Sequence, residues 1–402
     1  EKLIAYQSGA WGELGGNVQW DYIDGKPVGV VSSSLQLNLI SSNTSSLVLG
    51  FGSGQVLSQS IDTYTTLIGA YSGNSLESGN GNTVVGSYAL QTAPTSEANT
   101  AIGTYALQNN VSGGFNIAIG NSSMRDVNYG EYNIAVGNNS LENHSFGNRN
   151  IAIGHNSMID NVNSANNIGL GEYTLSKISS SILNVEVTEN IAIGHYSSRN
   201  LTTGSKNVTI GNHSGADLTT GIDNTFVGSY TNTSSSFSSY NTSIGSEAAK
   251  FNLFGSNNVA VGYAALRQST SGSDNVAIGN QALENANGFS NVAVGNNASI
   301  NGGTGDFNIA IGDAAGTNVG NGNDNIAIGR LTIGTLEDGS DNISIGKSGA
   351  SNLTNGNHNI TIGTDSGDLL TDGNGNVLIG HATNVTSSTD INTIVIGSGS
   401  IG

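Results

Sequence analysis

The chain has no cysteine, only two prolines in 402 residues, and charged residues at just 10%. The lack of cysteine excludes disulfides and thiolate metal sites, so cohesion must come from packing and hydrogen bonds. It also suits an extracellular or virion setting in which a repetitive ladder replaces covalent staples. Low charge together with low proline sets the chain apart from disordered sequences, which are usually rich in one or the other. No apolar run approaches the roughly 18 residues of a membrane span. Basic residues are scarce: Lys+Arg 11 against Asp+Glu 29 leaves a formal charge of −18, the wrong sign for a nucleic acid or an anionic membrane as partner. Glycine and β-branched residues recur too often for helices, and no apolar pattern of period 3.6 persists.

What the chain has in abundance is glycine, 58 residues, and one five-residue phrase that keeps returning. The phrase reads Asn-Ile-Ala-Ile-Gly at 116–120 and 150–154, and Asn-Val-Ala-Ile-Gly at 275–279. Its closing glycine recurs every 17 residues from Gly69 to Gly397, except for a 23-residue interval from Gly171 to Gly194 and a 16-residue interval from Gly279 to Gly295. A fixed period of this length is the signature of stacked repeats, so the expected fold is all-β, a parallel β-solenoid or β-roll of 17-residue coils. Residues 47–402 form this repeat domain. Residues 1–46 do not fit it, hold both tryptophans, Trp11 and Trp20, and are expected to cap the first coil or to attach to a base or neighbouring subunit.

Within the phrase, Ile117 and Ile119, Ile151 and Ile153, and Val276 and Ile278 alternate with a small residue, which predicts a strand of about four residues with those two side chains on one face. The expectation is that this pair fills the roll. The residue between them is mostly Ala (Ala118, Ala135, Ala152, Ala277, Ala310, Ala327), and a column so small on the other face suggests close approach of a second chain. Asn116, Asn150 and Asn275 are expected to form an amide ladder along the stack, and Gly120, Gly154 and Gly279 to open a turn. Three residues after the glycine nothing larger than Thr is accepted, which marks a packed corner, and the next position is often Leu or Met. A second glycine, usually ten residues after the first, predicts a turn of positive φ, with a short second strand before it. The extra residues between Ile178 and Val187 are expected to bulge as a loop. The core is thin: three or four apolar side chains per coil barely match the backbone entropy of ~1 to 2 kcal/mol per ordered residue, which favours an oligomer.

The units Asn275–Asn285 and Asn258–Leu266 resemble the Asn-Thr-Ala-Val-Gly-x-x-Ala-Leu repeats of bacteriophage tail fibres, and are similar to the Val-Ala-Ile-Gly repeats in the heads of trimeric autotransporter adhesins. The resemblance covers about residues 47–402. It implies a left-handed homotrimer of parallel β-rolls on a virion tail fibre or cell surface, acting as shaft or receptor-binding part in attachment to a host. Its partners would be a surface glycan or protein receptor and, through the N-terminal segment, an adjoining fibre or baseplate protein. A chain that starts at Glu1 without Met is expected to be a processed product or a portion of something longer.

Signals for chemistry are weak. His155, His195 and His381 each follow a motif glycine, but the same position elsewhere holds Asn121, Tyr263 or Lys347, so a variable exposed site is expected rather than a metal column. Gly320–Asn325 partly matches a calcium-binding nonapeptide, although its period is wrong; Asp274, Asp324, Asp341 and Asp372 read as turn caps. The carboxylates are scattered, so no catalytic residue, cofactor or metal site is assigned, and the expectation is a structural protein, not an enzyme. Two alternatives stand beside it: a filament subunit that polymerises end to end and, further off, a polysaccharide depolymerase. Thr209 and Thr361 belong to no regular Thr column, which argues against ice binding.

Overall fold

The computed structural model describes residues 4–7, 10–13, 37–38, 46–55, 57, 64–178 and 187–402. Two compact units are present, one of Glu1–Glu172 with Ile178–Glu186 and one of Tyr173–Lys177 with Val187–Gly402. Both are built the same way, as a parallel β-solenoid, and no helix occurs among the described residues.

In the first unit the strands Leu47–Leu49, Thr66–Ile68, Thr83–Val85, Thr100–Ile102, Ile117–Ile119, Ile134–Val136, Ile151–Ile153 and Ile168–Leu170 pair in parallel in chain order. Leu37–Asn38 lies antiparallel on the first of them, Leu37 opposite Leu49, and covers that edge. In the second unit the same ladder runs from Ile191–Ile193 to Ile394–Ile396. Each coil therefore stacks on the next within one chain, Ile on Ile and Ala on Ala, as at Ala260 and Ala277. The 16-residue interval leaves the strands in register, Val276 opposite Val292, because the missing residue is taken from the turn between Ala286 and Gly288.

The strands are three residues long, not four, since the motif glycine turns the chain at once. Gly120 has φ +141° and a Cβ there would lie 2.3 Å from the carbonyl oxygen of Gly137, so both the turn and the close stacking of coils require glycine. The expected second strand is not a regular part of the repeat: among the described residues only Ser164–Ala165 and Val187–Thr188 are extended there. In its place is a run of turns with left-handed residues, such as Ser122, Met124 and Tyr132 at φ 52°, 51° and 58°. These turns are tied coil to coil by backbone bonds, for example Leu107 N–H to Ser123 O at 3.0 Å and Asn109 N–H to Arg125 O at 2.8 Å. The second glycine also differs from expectation. At Gly79, Gly113 and Gly221 the backbone is not left-handed; a side chain is excluded because a Cβ would fall 2.0, 2.3 and 2.1 Å from a carbonyl oxygen of the next coil.

The largest correction concerns the faces of the strand. Ala118, Ala135, Ala152 and Ala277 are fully buried inside their own coil, and Ala310 and Ala327 are nearly so, whereas Ile117, Ile119 and Ile153 are 38%, 37% and 42% exposed. The Ala column lines the interior and does not face a neighbour; the Ile and Val columns form the outside. The cause is space. Leu107, Met124, Leu141 and Met158, from the turn opposite, are fully buried and occupy the room above the Ala column. Where Leu67 and Phe226 occupy the middle position, a glycine faces each from its own or the preceding coil: a Cβ on Gly73 would lie 2.8 Å from Leu67 Cδ2, and one on Gly215, a coil earlier, 3.2 Å from Phe226 Cδ2. Volume is thus balanced between neighbouring coils, as close packing demands. A further core column sits seven residues after the motif glycine (Leu76, Val127, Leu201, Leu218, Leu336, Leu353) and was not anticipated from the sequence.

Trp11 lies in a strand Ala10–Glu13 that pairs antiparallel with Ile4–Gln7, Trp11 opposite Tyr6. Trp20 and the segment 179–186, where a bulging loop is expected, lie outside the described residues.

Candidate interaction surfaces

Three columns organise the surface and the wall beneath it. The first is internal: the leading asparagines are buried and form the expected amide ladder. Asn116 Oδ1 accepts the backbone N–H of Asn133 at 2.9 Å, while Asn116 Nδ2 donates to Gly130 O at 2.8 Å. Asn150 repeats the pattern toward Ser164 O at 2.8 Å, and Asn275 toward Gly288 O at 2.9 Å. Each amide thus joins the strand of one coil to the second turn of the next, so these residues are structural. Thr209 and Thr361 are buried too; Thr209 Oγ1 accepts from Ser197 Oγ at 2.8 Å and Thr361 Oγ1 donates to Ser344 Oγ at 2.7 Å.

The second column is the outer strand face. In the second unit it presents Ile or Val at most first and third strand positions, with exposures such as 40% at Ile278, 38% at Ile311 and 39% at Ile345. Monomers rarely expose a contiguous apolar patch beyond ~300–600 Å². Two partly exposed β-branched residues per coil, repeated along the ladder, form a continuous apolar column.

The third is a corner two residues after the motif glycine, where the backbone is left-handed and the side chain points outward. Tyr71, Tyr88 and Tyr105 stack there at centroid distances of 5.1 and 5.5 Å. In the second unit Tyr173, Tyr196, His213 and Tyr230 continue the arrangement at 5.3, 5.1 and 5.1 Å, with His195 against Tyr196 at 3.9 Å. Lys250 Nζ stands 5.3 Å from the Tyr230 ring and Arg199 Cζ 5.0 Å from that of Tyr196. Burial, the neighbouring His195 and the Arg199 charge push the His213 imidazole below its ordinary pKa, against a smaller pull from Asp217.

Three arginines occupy one position, five residues after the glycine, and differ in their company. Arg125 pairs with Asp126 and Glu142, and Arg267 with Glu247 at 3.1 Å and Glu284 at 2.9 Å. Arg199 makes no ion pair among the described residues, and its buried Nε has no hydrogen-bond partner. His155, His195 and His381 are exposed, as expected for a variable position. Asp274, Asp324 and Asp341 are left-handed turn residues preceding the leading Asn. The Asp372 carboxylate accepts hydrogen bonds from Thr354 and Asn355. The sequence matches no family model, and no curated protein or solved structure matches it either.

Proposed function

We propose that the chain is a non-enzymatic fibre or adhesin protein, the shaft or receptor-facing part of a tail-fibre-like assembly that attaches to a cell surface as a homotrimer. The observation that carries this reading is the outer strand face. Its Ile and Val side chains repeat once per coil, so a partner that covers the column needs the same axial spacing along its length. A second and a third copy of this chain supply that match without any further requirement. Covering the column removes apolar surface from water at ~25 cal/mol per Å², and a standard interface needs only roughly 800 Å² per partner. The buried Asn ladder and the interlocked turns add stiffness, the property a shaft requires. Variability is concentrated in the exposed turns, where recognition would sit.

Sedimentation equilibrium of the purified chain tests the reading. A mass of three chains is expected, and Ile119→Asp with Ile153→Asp should lower it while circular dichroism still reports β-structure. A wild-type monomer at micromolar concentration overturns the proposal, and mass that grows without limit with concentration favours the end-to-end filament.

A further inference from the structure

We infer that the corner formed by Tyr196, Arg199, His213 and Tyr230 is a binding site for an acidic saccharide, with Arg199 taking the sugar's carboxylate or sulfate. The inference rests on the surface-attachment reading for its setting and names the class of receptor.

The first ground is the contrast among the three arginines. Arg125, Arg199 and Arg267 share one position in the coil, yet only Arg199 makes no ion pair among the described residues, the Asp217 carboxylate of the next coil being bound by Asn200 at 2.8 Å. A guanidinium resting on an aromatic face with no carboxylate partner can receive a planar anion through its terminal nitrogens, the Nε being buried, and such charge-assisted pairs are about twice as strong as neutral ones. The second ground is the sign of the local field. In a chain of formal charge −18, this corner gathers Arg199, His195 and His213; burial is the main cause that lowers the His213 pKa, and His195 and Arg199 add to it against the pull of Asp217, so the cationic groups here outweigh the one nearby carboxylate.

The third ground selects among anions. Tyr173 stacks on Tyr196 at 5.3 Å and His213 on Tyr230 at 5.1 Å, while Tyr196 and His213 meet at 5.1 Å with a tilt of 50°, so most of the ring faces are taken up by one another. Nucleobases require open ring faces for stacking. A row of hydroxyl and ring-nitrogen groups, one per coil, instead matches a ligand that presents many hydroxyls along an extended chain, which is the chemistry of a polysaccharide. Lys250 over Tyr230 extends the cationic edge by a further coil, although it is shared with Glu247 at 2.9 Å.

The test is calorimetric titration of the intact protein with tetragalacturonate, with a sulfated tetrasaccharide, with maltotetraose as the neutral control, and with tetraglutamate as an acidic peptide. Binding of one or both acidic sugars, with maltotetraose and tetraglutamate at least tenfold weaker, is expected. Arg199→Gln should weaken acidic-sugar binding roughly tenfold, the loss of one charge-assisted contact, while Arg125→Gln leaves it unchanged. His213→Asn is a second variant that keeps the fold, because Asn139 and Asn156 hold the same left-handed position; it should weaken binding as well. Equal affinity for maltotetraose, preference for tetraglutamate, or an Arg199→Gln protein that binds as well as the parent each overturns the inference. A trimer that binds none of the four overturns it while leaving the fibre reading intact.

Discussion

Asn133 Oδ1 accepts two hydrogen bonds from Asn150, one from its backbone N–H at 2.9 Å and one from its side-chain amide at 3.1 Å. Both residues are fully buried, so neither bond has water as a substitute. Removing Asn133 would orphan the Asn150 N–H and take one of its two partners from the Gly147 carbonyl, to which Asn133 Nδ2 donates at 2.9 Å and beside which His144 Nε2 stands at 3.0 Å. At ~1–3 kcal/mol per buried unpaired group, Asn133→Ala is expected to cost about 1–3 kcal/mol locally. Hydrogen exchange should show the amides of coils 120–154 opening faster while those near residue 350 keep their protection.

The two kinds of left-handed glycine should respond differently to a methyl group. Gly120→Ala meets the Gly137 carbonyl at 2.3 Å, and backbone cannot move aside without separating the coils. Gly81→Ala meets nothing closer than Ala98 Cα at 3.9 Å, in a column where Ala98 itself adopts φ 52°. The first substitution is expected to destabilise by more than ~4 kcal/mol and to admit protease near residue 120; the second costs ~1 kcal/mol or less, within a few degrees in a thermal melt.

Phe226 and Gly215 form a size pair that a double-mutant cycle can read. Phe226→Ala should cost ~3–5 kcal/mol, the loss of a fully buried ring plus its cavity. Gly215→Leu alone should clash with the ring, since a Cβ there already lies 3.2 Å from it. The double variant recreates the Leu-with-Ala arrangement found at Leu90 and Ala101, and Leu90 tolerates φ 47° where Gly215 has 57°. Denaturation midpoints should show the pair substantially less damaging than the sum of the singles.

His144 is buried inside the coil, with Nδ1 2.5 Å from Asn161 O and Nε2 3.0 Å from Gly147 O. Burial pushes its pKa below the ordinary value of 6.5 despite those carbonyls. A depressed folded pKa means the unfolded chain takes up the proton first, so the stability from the neutral ring is complete above about pH 6.5 and declines as pH falls toward the folded pKa. His144→Val, the residue that Val127 supplies one coil earlier, should flatten that part of the melting-temperature profile between about pH 7.5 and 5. An unchanged slope would assign the acid sensitivity to other groups.

Period, strand position and the Asn ladder were legible in the sequence because each depends only on where a residue falls in the coil. Which side of the strand points inward was not. Alternation of Ile119 and Ala118 defines two faces without saying which is enclosed, and the larger residues were assigned to the interior. The clue was nevertheless present: Leu67 and Phe226 take the place of Ala where Gly54 and Gly215, one coil earlier, take the place of Leu. The unpaired Arg199 had no signature of its own, since Asp217 stands on the next coil in the sequence and the lack of an ion pair with it depends on side-chain reach.

The exchange of large for small between Phe226 and Gly215 bears on how the chain finds its own register. Asn, Ile and motif Gly are nearly the same in every coil, so a coil that skipped its neighbour and paired with the next would satisfy the same backbone ladder and the same amides. Every native neighbour contact closes a similar short loop, and loop-closure entropy rises only slowly with length, by ~0.6 kcal/mol per doubling, so entropy alone penalises such a slip weakly. A Phe brought against a Leu instead of a Gly would be overpacked at a cost of ~1–3 kcal/mol. Irregularities of size inside the wall therefore act as an address for each coil, one that the repeating phrase cannot provide.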